Sequence, residues 1–217
     1  MRPIEYGILP DDSDYFPYQP STIASKVYLY PVALGHFHYQ SGYRLKRSSY
    51  NSFLLMYIEK GSCQVYHPNQ IGTVLQDQLV LLDCYSPHEY GFLEDSDVCW
   101  IHFDGPMARI FYETIVSEKG SLLYPAHPDA IHRSLYHIYD TFRSRAPIAE
   151  DQISGTITNI LVDFLSSENT QQVSGKTQLG ISEAISHINK YFYKSITLQE
   201  LADIAALSPY YFSRVFA

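Results

Sequence analysis

The chain has 217 residues, 46% hydrophobic and 18% charged, which excludes an intrinsically disordered chain and leaves room for one large domain or two small ones. Its 23 acidic and 15 basic residues give a formal net charge of -8 and exclude a broadly basic surface, so any contact with nucleic acid must be local. Cys63, Cys84 and Cys99 form no C-x-x-C pair and read as reduced, buried thiols of a cytoplasmic protein.

The first residues, MRPIEYGILPDD, lack the apolar core of a signal peptide, and no apolar run approaches the ~20 residues of a membrane span. Residues 1–25 are rich in Pro, Asp, Ser and Tyr and read as an arm without regular structure. Residues 26–105 contain the runs KVYLYPVAL, SFLLMYIEK, SCQVYH, GTVLQ, QLVLLDCY, HEYGFL and VCWIHF, separated by turn-prone segments such as EKGS and EDSD. Short, closely spaced runs rich in Val, Ile, Leu, Tyr and Phe predict a β-sandwich or barrel.

From 106 to 167 the apolar period changes. Met107, Ile110, Phe111 and Ile115 fit one helix. Ile131, Leu135, Ile138 and Phe142 mark a second, and Ile153, Ile157, Ile160, Leu161 and Phe164 a third, with Pro147 in the break between them. The short connection predicts an antiparallel hairpin. Apolar stripes of this kind pack into their own core more often than against a partner. Residues 168–180, ENTQQVSGKTQLG, are polar with two glycines and read as a flexible linker.

Residues 181–217 read as three short helices. Ile181, Ala184, Ile185, Ile188 and Tyr191 form one apolar stripe. Thr197 is a good N-cap for the second helix, with Glu200 placed to complete a capping box. Pro209 suits the first turn of the third. Leu201, Ala205, Leu207, Phe212 and Val215 fill the five apolar positions of a helix-turn-helix, Ala202 its small position, and Ala206 the turn position where glycine is usual. Pro209, Tyr210, Ser213 and Arg214 are the candidate DNA-facing residues, with Arg214 the base-edge or phosphate reader.

The stretch TLQELADIAALSPYYFSRVF resembles the first helix-turn-helix of AraC-type transcription regulators. Upstream, GHF, GYRLKR, FLLMYIEKG, LVLLDCYSPHEY and VCWIHFDG, in that order, resemble the cupin-type sensor of sugar-responsive members of that family. The resemblance implies a cupin-like effector-binding barrel at 26–105, a helical dimerisation region at 106–167, and a DNA-binding domain whose first helix-turn-helix is only begun at 181–217. It implies as partners a sugar effector, operator DNA and a second copy of the chain. A fragment carrying so little of the DNA-binding domain is expected to bind operator DNA poorly.

In the arabinose-responsive branch of that family an arginine before the central strand, a tyrosine and a tryptophan contact the sugar; Arg47, Tyr90 and Trp100 match those positions. The position two before the tryptophan, polar in that branch, is Val98 here. Sugars are held by aromatic platforms under their C–H faces and by planar polar groups at their hydroxyls, roles that suit Trp100 on one side and Arg47, His88 and Tyr90 on the other. Alternate strand residues share a face, which groups His88 with Tyr90 and Trp100 with His102.

The competing reading is a cupin-fold metal-dependent enzyme acting on a small polar substrate. His36 and His38 form an H-x-H pair able to hold a metal. The nearest following acid is Glu59, 21 residues on, while His67, His88 and His102 are scattered. No catalytic residue, metal ligand or cofactor is therefore expected.

Overall fold

The computed structural model describes residues 1–67, 70–165, 175–194 and 196–216; side chains at 67, 70, 71, 175–179, 182, 186, 189, 210, 211, 214 and 215 lie outside the description. The chain divides into two compact units, residues 1–166 and 167–217.

The first unit is built on two antiparallel sheets. Six strands form one, in the order β1 (Asp14–Pro17), β2 (Tyr30–Tyr39), β9 (Ser96–Asp104), β4 (Phe53–Lys60), β7 (Leu79–Asp83), β10 (Leu122–Leu123). Four form the other, in the order β3 (Arg44–Arg47), β8 (His88–Gly91), β5 (Ser62–His67), β6 (Gln70–Leu75). The expected β-rich architecture is therefore present.

The larger sheet is apolar on both faces, which explains why its strands read as continuous apolar runs rather than clean alternations. Leu54, Met56 and Ile58 of β4 and Val98 and Trp100 of β9 face the smaller sheet, where Leu45, Val65, Val74 and Tyr90 complete an inter-sheet core. Phe53, Leu55, Tyr57, Cys99, Ile101 and Phe103 face the opposite way, into a second core closed by helices. These helices are α2 (Ala108–Lys119), α3 (Pro128–Arg143) and α4 (Glu150–Leu165). Ile131, Leu135, Ile138 and Phe142 of α3 and Ile153, Ile157, Ile160, Leu161 and Phe164 of α4 all belong to this core. The two stripes read from the sequence are thus buried on the chain's own sheet.

Three corrections concern segments with weak periodicity. The arm is not free of structure: β1 pairs with β2, and Ile8 bridges Tyr39. The strand expected to begin at Lys26 begins at Tyr30, because Ala24–Val27 forms the short helix α1. The expected linker 168–180 is helical from Gly175 on; residues 168–174 lie outside the described residues.

The second unit contains α5 (Gly175–Tyr191), α6 (Leu198–Ile204) and α7 (Pro209–Phe216). Ala184, Ala202, Ala205 and Phe212 form its small core, with Ile181, Leu201, Ile204 and Leu207 against it. The Thr197 hydroxyl accepts the Glu200 backbone N–H at 3.1 Å, the expected N-cap. Glu200 does not complete the box; its carboxylate meets the His187 ring at 3.1 Å. Ala206, between α6 and α7, adopts φ +52°, a left-handed conformation. Gly180 serves close packing, since a Cβ there would stand 2.4 Å from the Ala205 carbonyl oxygen.

All three cysteines are buried and free, and burial pushes the Cys63 and Cys84 thiols up to about 12. Among the described residues, no helix is long and apolar enough to cross a membrane.

Candidate functional site

Residues of both sheets line a cavity of about 460 Å³. The larger sheet supplies Ala33, Phe37, Tyr39, Leu54, Trp100 and His102, and the smaller sheet Leu45, Arg47 and Tyr90. The arm roofs it with residues 1–5. The volume lies within the range of small-molecule sites.

Strand pairing explains the convergence. Trp100 and His102 are two residues apart on β9 and share its inter-sheet face. Leu45 pairs with Tyr90, and Arg47 with His88, across β3 and β8. Arg47, Tyr90, Trp100 and His102, four of the five expected ligand residues, therefore line one cavity. His88, the fifth, is buried but is not among the lining residues; its Nδ1 lies 2.9 Å from the Ser86 carbonyl oxygen.

Sequence reasoning missed Tyr15, Phe37, Tyr39, Tyr43, Tyr50 and the arm residues on this wall. Phe37 and Tyr39 share the inward period-2 face of β2 and were findable in principle. The arm was not, because its position is set by the strand pairing of β1 and by contacts remote in sequence. The Tyr43 hydroxyl donates to the Glu5 carboxylate at 2.8 Å, and the Tyr139 hydroxyl to Asp14 at 2.6 Å.

The wall carries the Arg47 guanidinium, the Glu5 carboxylate and the charged arm residues Met1 and Arg2 beside neutral groups. Arg47 is exposed at the cavity, with its guanidinium 5.7 Å from the Tyr50 ring centre and no ion pair among the described residues. Burial, reinforced by the charges of Arg47 and His88, pushes the His102 ring down to about 3, so it is a neutral imidazole across the physiological range. Its Nδ1 meets the Ser52 hydroxyl at 2.8 Å. Burial raises the Tyr90 and Tyr39 phenols. The set can orient a polar ligand between aromatic walls.

The H-x-H pair lies on the helix-facing side of β2, away from this cavity. His36 Nε2 meets Glu59 at 2.6 Å, and His38 Nδ1 meets Asp97 at 2.5 Å. The other Glu59 oxygen meets His132 Nε2 at 2.7 Å. Folding thus brings Glu59 to His36, 23 positions away in sequence, and not to His38. Among the described residues, no group of three His, Cys, Asp or Glu side chains is arranged to hold a metal. A second cavity of about 520 Å³ lies between the arm and α3, where Asp14, His36, Tyr139 and Arg143 contribute to its wall, and none of the expected site residues is among its lining.

In the second unit, Ser213 is exposed on α7 and Pro209 is half-buried at its start. The side chains of Tyr210 and Arg214 lie outside the described residues.

The model of the AraC-like ligand-binding domain family matches residues 30–153, more than half of the chain. The chain belongs to the AraC-like ligand-binding domain family. The match begins at the first residue of β2 and ends in α4, so the AraC-like domain spans β2–β10, the body of the cavity, and the first two helices packed on it. The double sheet is the cupin-like fold expected. No curated protein sequence matches the chain.

Similar solved structures include a cupin superfamily protein from Desulfitobacterium hafniense, at 10% identity over 42% of this chain and 75% of that one, TM-score 0.32. The cupin domain of an XRE-family transcriptional regulator from Enterobacter cloacae is 13% identical over 42% of this chain and 95% of that one, TM-score 0.32. A Bacillus subtilis oxalate decarboxylase mutant is 16% identical over 55% of this chain and 34% of that one, TM-score 0.37.

Proposed function

We propose that this chain is the effector-sensing part of a sugar-responsive, DNA-binding transcription regulator of the AraC type that works in the cytoplasm as a homodimer. The observation that carries the reading is the convergence of Arg47, Tyr90, Trp100 and His102 on one cavity of an AraC-like ligand-binding domain. The N-cap at Thr197, the left-handed turn at Ala206 and the exposed Ser213 support a helix-turn-helix role for the second unit.

In this reading the sugar binds between the sheets, with Arg47 and Tyr90 at its hydroxyls and Trp100 beside it. Its binding changes how the arm, the helices or the segment after them constrain DNA binding. Only a difference in affinity for two arrangements of the protein can drive such a change. A thermal-shift screen of mono- and disaccharides tests the first half, because a ligand of the folded state alone must raise the Tm. Operator affinity of the full-length protein, measured with and without the sugar found, tests the second. A sugar that binds tightly and leaves operator affinity unchanged overturns the regulatory half.

A further inference from the structure

The inference rests on the reading of the inter-sheet cavity as a sugar-effector site and narrows its ligand. The polar groups of that cavity are unevenly available. The Tyr43 hydroxyl is spent on Glu5 at 2.8 Å and Arg2 on Asp11 at 2.6 Å. The described wall contains no Asp, Asn or Gln, and its one carboxylate, Glu5, already accepts from Tyr43 at 2.8 Å.

Three polar side chains of the wall sit together. Arg47 lies 5.7 Å from the Tyr50 ring centre, and Tyr50 lies 4.6 Å from the His102 ring. Beyond His102 the wall continues as aromatic surface, with Trp100 at 5.6 Å, Phe37 a further 5.0 Å on, and Tyr15 6.1 Å past Phe37. The surroundings of Trp100 are so poor in acceptors that its indole nitrogen is the only buried side-chain nitrogen or oxygen among the described residues without a hydrogen-bond partner. A free monosaccharide carries hydroxyls all round, and those at the Trp100 end would be buried unpaired, at a cost in free energy.

We infer that the cavity takes a glycoside with an apolar, ring-shaped aglycone. The sugar lies at Arg47, Tyr50 and His102, and the aglycone against Trp100, Phe37 and Tyr15.

The test uses the whole chain and matched probes: free glucose and galactose, their methyl glycosides and their phenyl glycosides, each in both anomers. Thermal shift and the fluorescence of Trp100, the only tryptophan, report binding. For at least one sugar the phenyl glycoside is expected to bind at least tenfold tighter than the methyl glycoside, since a buried ring adds a large apolar area. Tyr15→Ser is expected to shrink that ratio, and Arg47→Gln to weaken both ligands while keeping it. Free or methylated sugars that bind as tightly as the phenyl glycosides overturn the aglycone and leave the sugar-effector reading standing. A phenyl preference unchanged by Tyr15→Ser overturns the placement. If no probe and no saccharide of a wider screen binds, the sugar-effector reading falls and this inference falls with it.

Discussion

The indole of Trp100 lies against the bare Cα of Gly35, its pairing partner across β2 and β9. A Cβ at position 35 would stand 2.8 Å from Trp100 Cζ2 and 2.5 Å from the Asp14 carbonyl oxygen, closer than a real methyl group can approach. The missing side chain thus seats the Trp100 ring and lets β1 close on β2.

Gly35→Ala is accordingly expected to destabilise the protein by about 1–3 kcal/mol through overpacking. It should also shift the emission maximum of the single tryptophan as the indole is displaced. Urea unfolding and a fluorescence spectrum measure the two effects. An unchanged midpoint and spectrum would show that the contact carries no strain.

Trp100→Ala should lower effector affinity at least tenfold. Because removing a large buried ring also costs about 3–5 kcal/mol of stability, Arg47→Gln is the companion variant. Arg47 is exposed and unpaired among the described residues, so its replacement should leave the unfolding free energy within about 0.5 kcal/mol of wild type while weakening binding. Effector affinity equal to wild type in both variants would mean that the cavity is not the binding site.

Glu59 of β4 holds His36 of β2 and His132 of α3 at once, tying the larger sheet to the helical layer. Burial lowers the His36 pKa, but the bond to Glu59 and the charges of Glu59, Asp97 and Asp14 outweigh it and leave the value raised above 6.5. Burial raises the Glu59 pKa, and the bonds and charges of the two imidazoles more than reverse this, leaving it below 4.5. The His36 contribution is complete below 6.5 and is lost as pH rises through the higher folded value. The Glu59 contribution is complete above 4.5 and is lost as pH falls through the lower folded value. Together they stabilise most between pH 4.5 and 6.5. Glu59→Gln should cost about 1–2 kcal/mol near pH 6 and flatten the decline of Tm above neutrality. Parallel Tm–pH curves for the two proteins would exclude this linkage.

Ala206 holds φ +52°, where a Cβ is crowded by its own backbone. Ala206→Gly should relieve that strain and stabilise the three-helix unit by about 0.5–1 kcal/mol, the gain being reduced by glycine's greater freedom when unfolded. Slower amide exchange in α6 and α7 is the measure; unchanged or faster exchange would count against a strained turn.

Local pattern was enough to find most strands of both sheets, though not β1, β3 or β10, and the stripes of α3 and α4, because each of these depends on an apolar period that a short window carries. The chemical types at the site were also legible: Arg47, Tyr90 and Trp100 could be named because their chemistry suits a sugar and they match the sugar-contacting positions of the family the sequence resembles, and alternation added His102 beside Trp100. Trp100 is again instructive. Its direction was readable from β9 alone, whereas its seat on Gly35 and its partnerless indole depend on a strand some 65 positions earlier, a separation set by the pairing of β2 with β9. Tertiary structure alone decided that His88 stays off the cavity wall, that Glu59 reaches His36, and that the arm roofs the cavity. Each of these depends on pairings between distant segments, for which neighbouring residues hold no signal. The same is true of Gly180, which reads as flexibility in a polar stretch and proves to be room for the Ala205 carbonyl.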